Sequence, residues 1–450
     1  MQIGSRLELF VDDALIEKMQ GLAVTMHAPQ PAPVSTAPVR GQYVTVLKDG
    51  EIFRAYYRDY VAGYGGPYEA GSPGEITCYA ESRDGHRWVF PNLGLHDAQG
   101  TDGYNAVLAG QAPFSHNFSP FLDARPGVPG DERYKALAGI QDSSRRGLYA
   151  FASQDGIRWR GLGEAAVITS EHRAFDSQNV AFWSDAESCY VCYYRSWETP
   201  HGRLRTISRA TSPDFVQWSR PTPMNPNVPG EHLYTSSTHP YFRAPHIYIA
   251  LPTRFLPDRG GITDVMFMTS RGGTQYDRRF MEAFIRPGLE PDRWGNRANY
   301  VAQNIVPTGP DEMSLYLAPI GRRYIMRTDG FVSVSASYRE GEMSTRVLEF
   351  TGSELVLNYS TSAAGSVRVE LQSRDGSAVP HCELGDCVPL VGDEIEGAVR
   401  WRHGKDLRML SGQQVRVRYV LRDADIYSMR FRFGPGCRSH KGMQEAERVL

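Results

Sequence analysis

Apolar and polar positions alternate along most of this chain with the two-residue period of strands, and clusters of Gly, Pro, Asp and Ser cut the alternation into short runs. Between about residues 40 and 340 the runs recur in sets. The first set covers 43–47, 52–58 and 76–80, and the second 118–122, 133–139 and 147–152. A third covers 179–183, 188–195 and 204–208, and a fourth 238–242, 246–251 and 265–269. A fifth set begins with 313–317 and 323–327. From about residue 345 the runs 347–350, 354–358, 366–371, 414–420 and 427–433 mostly alternate, as strands with one face buried and one exposed do. The run 7–11 has no local partner and is expected to close the array by pairing with the last set. The best helix signal is 13–19, behind a capping Asp.

A short phrase follows the last run of the first four sets. Its copies start at Ser82, Ser153, Ser212 and Ser270, and each carries an aromatic six positions on, at Trp88, Trp159, Trp218 and Tyr276. Three of them hold an Asp two residues after the Ser: Asp84, Asp155 and Asp214. The spacings are 71, 59 and 58 residues, by subtraction of the Ser numbers. Asp accepts from nearby backbone donors and Gly tolerates positive φ, so the phrase is a turn, and the aromatic is a wedge packed between sheets. One turn per fixed period of this size is the mark of a propeller. The expected fold is therefore all-β: a five-bladed β-propeller over residues 1–340, its ring closed by the N-terminal strand, and a β-sandwich over 341–450.

Composition narrows the function. At 450 residues, with 41% hydrophobic and 22% charged content, the chain is an ordinary globular protein with ample core. A formal net charge of −2 gives no electrostatic case for nucleic acid or an anionic membrane. No apolar run approaches the roughly 20 residues of a membrane span. The first residues lack the charged and apolar regions of a secretory leader, so the expected location is cytoplasmic, or secreted with a leader already removed. Six Cys do not make a disulfide scaffold at this length. No zinc spacing, phosphate loop or dinucleotide fingerprint occurs.

In a propeller the residues at the start of each innermost strand converge on one funnel. Here those positions are Arg40, His116 and Asn117, Asp176 and Gln178, His239, and Glu312; loops opening on the same end add Arg58, Trp197 and Arg254. Such a ring of polar and aromatic side chains suits a sugar. With its Ser-x-Asp-Gly-x-x-Trp turns, its five sets and its C-terminal alternating segment, the chain resembles the five-bladed propeller glycoside hydrolases, the arabinanase and β-fructofuranosidase group of families 43 and 32. The resemblance covers about two-thirds of the sequence. It implies hydrolysis of a terminal sugar, a furanoside being one candidate. That group places Asp in its first two blades and a Glu acid in the third. This chain instead offers Arg40 and His116 in the first two and Asp176 in the third.

Hydrolysis needs two carboxylates, and Asp176 and Glu312 are the pair expected, with His116 as an auxiliary proton carrier. Asn117, Gln178, His239, Arg254, Arg40 and Trp197 are the expected sugar contacts. No metal or other cofactor is required, and a structural Ca²⁺ in the axis is compatible with the sequence. The expected partner is a carbohydrate, with no nucleic acid and no membrane, and homo-oligomer formation is left open. Two alternatives stand beside this reading. One is a polysaccharide lyase acting on a uronic-acid glycan through His and Tyr, and the other a non-catalytic carbohydrate-binding propeller.

Overall fold

The computed structural model describes residues 1–35, 38–96, 105–318, 321–404 and 406–434. Helix among them is confined to short 3-10 turns. The chain divides into two units, Pro29–Ile325 and a second made of Met1–Ala28 with Met326–Leu450. The division differs from the expected one. Residues 1–28 and 326–340 go with the C-terminal segment, not with the repeated sets.

The central unit is built from five sets of antiparallel strands. The first sheet is Gln42–Asp49, Ile52–Tyr60, Glu75–Ser82 and Ala106–Leu108. The second is Ser119–Leu122, Tyr134–Ala138, Tyr149–Ser153 and Arg160–Gly161, and the third Val180–Ser184, Cys189–Thr199, Gly202–Ser212 and Thr222–Pro223. The fourth is split in two, His239–Tyr241 with Ala244–Ala250 and Met268–Ser270, and His232–Leu233 with Thr253–Leu256 and Ile262–Val265. In the fifth, Tyr300–Val301 and Val306–Pro307 both flank Glu312–Ala318, which pairs in turn with Arg322–Arg327.

The outermost strand of the fifth sheet is Gln30–Pro31, paired with Tyr324 and Ile325. Residues 7–11, expected to do this, lie elsewhere: Glu8–Leu9 pairs with Met429 and Ser428 in the other unit. The segment 13–19 is not a helix either. Ile16–Gln20 is a strand against Gly341–Thr345, so tertiary pairing overrides a weak local helix signal.

First strands of successive sheets contact one another from the first sheet to the fourth, and the fifth contacts the first. Hydrogen bonds fix the same order. Asn117 Nδ2 donates to the carbonyls of Phe175 and Ser177 at 2.7 and 2.9 Å. Gln303 Nε2 donates to the Thr238 carbonyl at 2.9 Å, while its backbone exchanges bonds with Val44 and Val46. Gln178 Nε2 reaches from the third sheet to Thr45 Oγ1 of the first at 2.9 Å.

The Ser-Asp turns behave as their chemistry demands. Asp84 Oδ1 accepts from the N–H of His86 and Arg87, Asp155 Oδ1 from Ile157 and Arg158, and Asp214 Oδ1 from Val216 and Gln217, all at 2.7–2.9 Å. Gly156 has φ +74°, and a Cβ there would meet the Tyr56 hydroxyl at 2.6 Å. That hydroxyl donates to the Gly156 carbonyl at 2.9 Å and ties the first sheet to the second. Trp159 packs edge-on against Phe118 and Tyr56, filling the wedge between the two sheets.

The other unit is a ten-stranded sheet around one core. Its long strands Glu354–Ser373 and Gln414–Arg432 pair antiparallel along their lengths, with register shifts at Asn358/Tyr359 and Thr361/Ser366. Four strands come from the N-terminal residues: Gln2–Gly4, Glu8–Leu9, Ile16–Gln20 and Leu22–Met26. They bring Ile3, Phe10 and Leu15 into a core shared with Leu357, Val369, Val417 and Phe431. Among the described residues no helix is long and apolar enough to cross a membrane.

Candidate active site

In the first sheet Gln42 pairs with Arg58, and Tyr60 with Glu75. The start of its first strand, the end of its second and the start of its third therefore lie at one end. His116 is held at the corresponding end of the second sheet by the 3-10 turn Phe114–His116, just ahead of Ser119–Leu122. Asp176 precedes Val180–Ser184 of the third sheet and follows Phe175, whose backbone is left-handed at φ +67°. A bulky residue is strained in that region, so the bend that presents Asp176 is enforced by its surroundings.

These ends border a cavity of about 150 Å³ lined by Gln42, Tyr43, Arg58, Tyr60, Tyr68, Glu69, Glu75, His116, Asp176, Tyr234, Arg297 and Tyr300, among others. At its base is a buried chain of charges. Glu75 Oε1 lies 2.8 Å from His116 Nδ1 and 3.2 Å from Arg58 Nη1. Arg58 Nη1 in turn reaches His116 Nδ1 at 2.6 Å, and its Nη2 donates to Gln42. The Glu75 carboxylate also accepts from the Tyr60 hydroxyl and from the N–H of Gly71. On the far side of the imidazole, Nε2 lies 3.4 Å from Asp176 Oδ1, and Arg195 Nη2 donates to Asp176 Oδ2 at 3.0 Å.

Exposure separates the two carboxylates. The Glu75 side chain is 1% exposed and fully partnered, whereas that of Asp176 is 37% exposed and faces the cavity. Burial alone would raise the Asp176 pKa. The hydrogen bond from His116 and the charge of Arg195 outweigh it and hold the carboxyl well below the usual carboxylate range. A hydrogen bond from His116 to the ionised Asp176 places a proton on Nε2. In the neutral ring Nδ1 then offers its lone pair to Arg58, and in the imidazolium it gives a proton to Glu75. Tyr43 packs edge-on against His116 at 5.5 Å, and burial pushes its hydroxyl up to about 12 despite the guanidinium of Arg58 beside it. Among the described residues no three His, Cys, Asp or Glu side chains gather to hold a metal ion.

Asp176 and His116 are thus brought together. Glu312 is not with them. It begins the second strand of the fifth sheet, not the first, and accepts from Thr308 Oγ1 at 2.7 Å within the hairpin. Thr308 borders Gly85 of the Ser82 turn, whose carbonyl accepts from Tyr316. That turn ends the strand that Glu75 begins, seven residues or about 23 Å away. Glu312 is therefore at the opposite end from Asp176, and the expected pair is broken.

The expected sugar contacts fare differently from one another. Asn117, Gln178 and His239 are buried with their polar atoms bonded to backbone or to Thr45, so they brace the first strands. Arg254 makes a two-pronged pair with Asp264. Arg40 is exposed ahead of the first strand and does not line the cavity. Trp197 is half-buried against the guanidinium of Arg205 at 4.4 Å.

Glu75, Tyr43, Tyr60, Arg195 and Glu69 were not singled out in the sequence. A third strand's first residue carries no mark of its own. Once the second and third strands of the first sheet are placed, however, Glu75 follows from the same geometry that yields Arg58.

No family model matches the sequence, and no curated protein matches it. Among solved structures the chain is similar to a thermostable family-43 glycoside hydrolase, at 11% identity, TM-score 0.45, 68% of this chain and 95% of that one. It is similar to an endo-arabinase from Bacteroides thetaiotaomicron, at 11% identity, TM-score 0.42, 67% and 97%. It is also similar to an N-acetylgalactosamine deacetylase from F. plautii, at 11% identity, TM-score 0.43, 91% and 95%. Likeness at this level assigns neither fold nor reaction.

Proposed function

We propose that the five sheets are the blades of a closed five-bladed β-propeller, and that the chain is a glycoside hydrolase acting on a terminal sugar in the cavity at Asp176. The observation that carries the reading is Asp176 itself: a cavity-facing carboxylate held ionised by His116 and Arg195. An ionised carboxylate serves as the base that activates water or as the nucleophile at the anomeric carbon, and not as the acid. The acid must come from elsewhere. Glu69, on the loop between the second and third strands of the first sheet, is exposed and lines the same cavity. It replaces Glu312 as the second carboxylate. His116, braced by Glu75 and Arg58, orients Asp176.

The test uses aryl glycosides and plant polysaccharides. Asp176→Asn is expected to lose activity by at least about 100-fold with the fold intact by circular dichroism. Glu69→Gln is expected to slow substrates with poor leaving groups and to spare nitrophenyl glycosides, which leave without an acid. Full activity of Asp176→Asn would remove the assignment.

One observation favours a second reading. The Tyr43 ring meets that of His116 at 5.5 Å, and its hydroxyl, kept protonated by burial, also suits a lyase acting on a uronic-acid glycan, with Tyr43 as proton donor. A lyase product is unsaturated and absorbs in the ultraviolet; a hydrolase product does not.

A further inference from the structure

The charges around the cavity do not cancel. Arg58 is matched by Glu75, and Arg195 by Asp176. Arg205 and Arg297 remain, and Glu69, the third carboxylate of the cavity, is at ion-pair distance from neither; Arg297 is in the lining, while Arg205 meets the cavity wall through the Tyr234 ring. The Arg205 guanidinium lies between the rings of Trp197 and Tyr234, at 4.4 and 4.7 Å, with Phe255 at 5.4 Å. Among the described residues it has no carboxylate at ion-pair distance. Its Nε is buried without an acceptor, and the partner of its Nη1 is His232 Nδ1 at 3.4 Å. Burial, and next the charge of Arg205, lower the His232 pKa, and an imidazole carries no negative charge to offset the guanidinium. Arg297 lines the cavity and is exposed, beside Tyr300, whose ring meets that of Tyr234 at 5.7 Å.

Taking a cation out of water without a counter-ion is costly, and aromatic faces return only part of that cost. A guanidinium held this way is satisfied when an oxyanion arrives, because its fork matches two oxygens at once. We propose that the sugar this cavity receives is negatively charged, its carboxylate or sulfate being taken by Arg205 and Arg297 at the Tyr234–Tyr300 wall. This rests on the cavity being the sugar site. It gives the hydrolase reading an acidic substrate, which the sequence suggests only for a lyase, and places the charge on Arg205 and Arg297, which the net charge of −2 does not disclose.

Calorimetric titration of the full chain with glucuronic acid, galacturonic acid, glucose 6-sulfate, glucose and galactose tests it. At low salt the wild type is expected to bind at least one charged sugar 10-fold or more tightly than its neutral counterpart. Uronates and the sulfate separate the two sources of charge. Arg205→Met keeps an unbranched apolar stem between the rings and is expected to abolish the preference, while Arg297→Met reduces it. Equal binding of charged and neutral sugars, binding of no charged sugar, or a preference that survives both substitutions would overturn the proposal. If Arg205→Met does not fold, the wild-type comparison and Arg297→Met still decide. None of these sugars contains a glycosidic bond to cleave, so an absence of hydrolysis leaves the binding result standing and the reverse holds too.

Discussion

His239 has both ring nitrogens committed, Nδ1 to the Ser237 carbonyl at 2.9 Å and Nε2 to the N–H of Ile305 at 3.2 Å. Full burial pushes its pKa down from 6.5 to about 4. The unfolded chain therefore takes up a proton between those values that the folded chain refuses. Stability is complete above pH 6.5 and falls as pH drops towards 4, by up to about 3 kcal/mol at one such group. Urea midpoints across that range should show His239→Gln losing less stability on acidification than the wild type, and parallel curves would count against it. Asp176 acts in a different window. Its depressed pKa means that its contribution is intact above the ordinary carboxyl value of 3.8 and disappears only in more acid solution. The acid side of any activity profile down to about pH 4 therefore belongs to another group.

At the scale of elements, the Ser-Asp turns were legible because their forces are local: one carboxylate satisfies two N–H groups three residues away at most. Their removal should be correspondingly modest and additive. Asp84→Ala, Asp155→Ala and Asp214→Ala are each expected to cost about 1–2 kcal/mol, and the triple variant their sum, since the turns share no partner. Urea denaturation measures the sum, and activity should persist because the first of these turns lies at the opposite end of its sheet from Glu75. The third turn shows what a phrase conceals. Phe215 stands where Gly85 and Gly156 stand, at φ +70°, with its ring buried against Phe121 and Tyr190. The fifth sheet was misread because it lacks the phrase. Its first strand is two short pieces around Ala302–Ile305, too broken to alternate, so alternation points to Glu312–Ala318 in its place and to Glu312 as a site residue. Periodicity held the correction: Val180 to His239 is 59 residues, and another such step ends beside Tyr300. The C-terminal strands were legible by alternation, but not their partners at the other end of the chain, because pairing between residues more than 300 apart leaves no local trace.

For the molecule as a whole, the unit that holds the cavity is inserted within the other. Residues 1–28 supply four strands to a sheet otherwise made from 326–434, and three of its core side chains. A fragment of residues 326–450 is expected to be unfolded by circular dichroism, and joining 1–28 to it through a short linker to restore a cooperative transition; a folded fragment alone would contradict this. The same connectivity sets an order of events on the ribosome. At about 5–20 residues per second, the first strands emerge roughly 15–85 s before their partners are made. Through that interval Ile3, Phe10 and Leu15 have no core to enter, and the nascent chain carries a sticky stretch ahead of its middle while the middle folds. A chaperone that holds extended apolar segments would find its target there, in the first 28 residues.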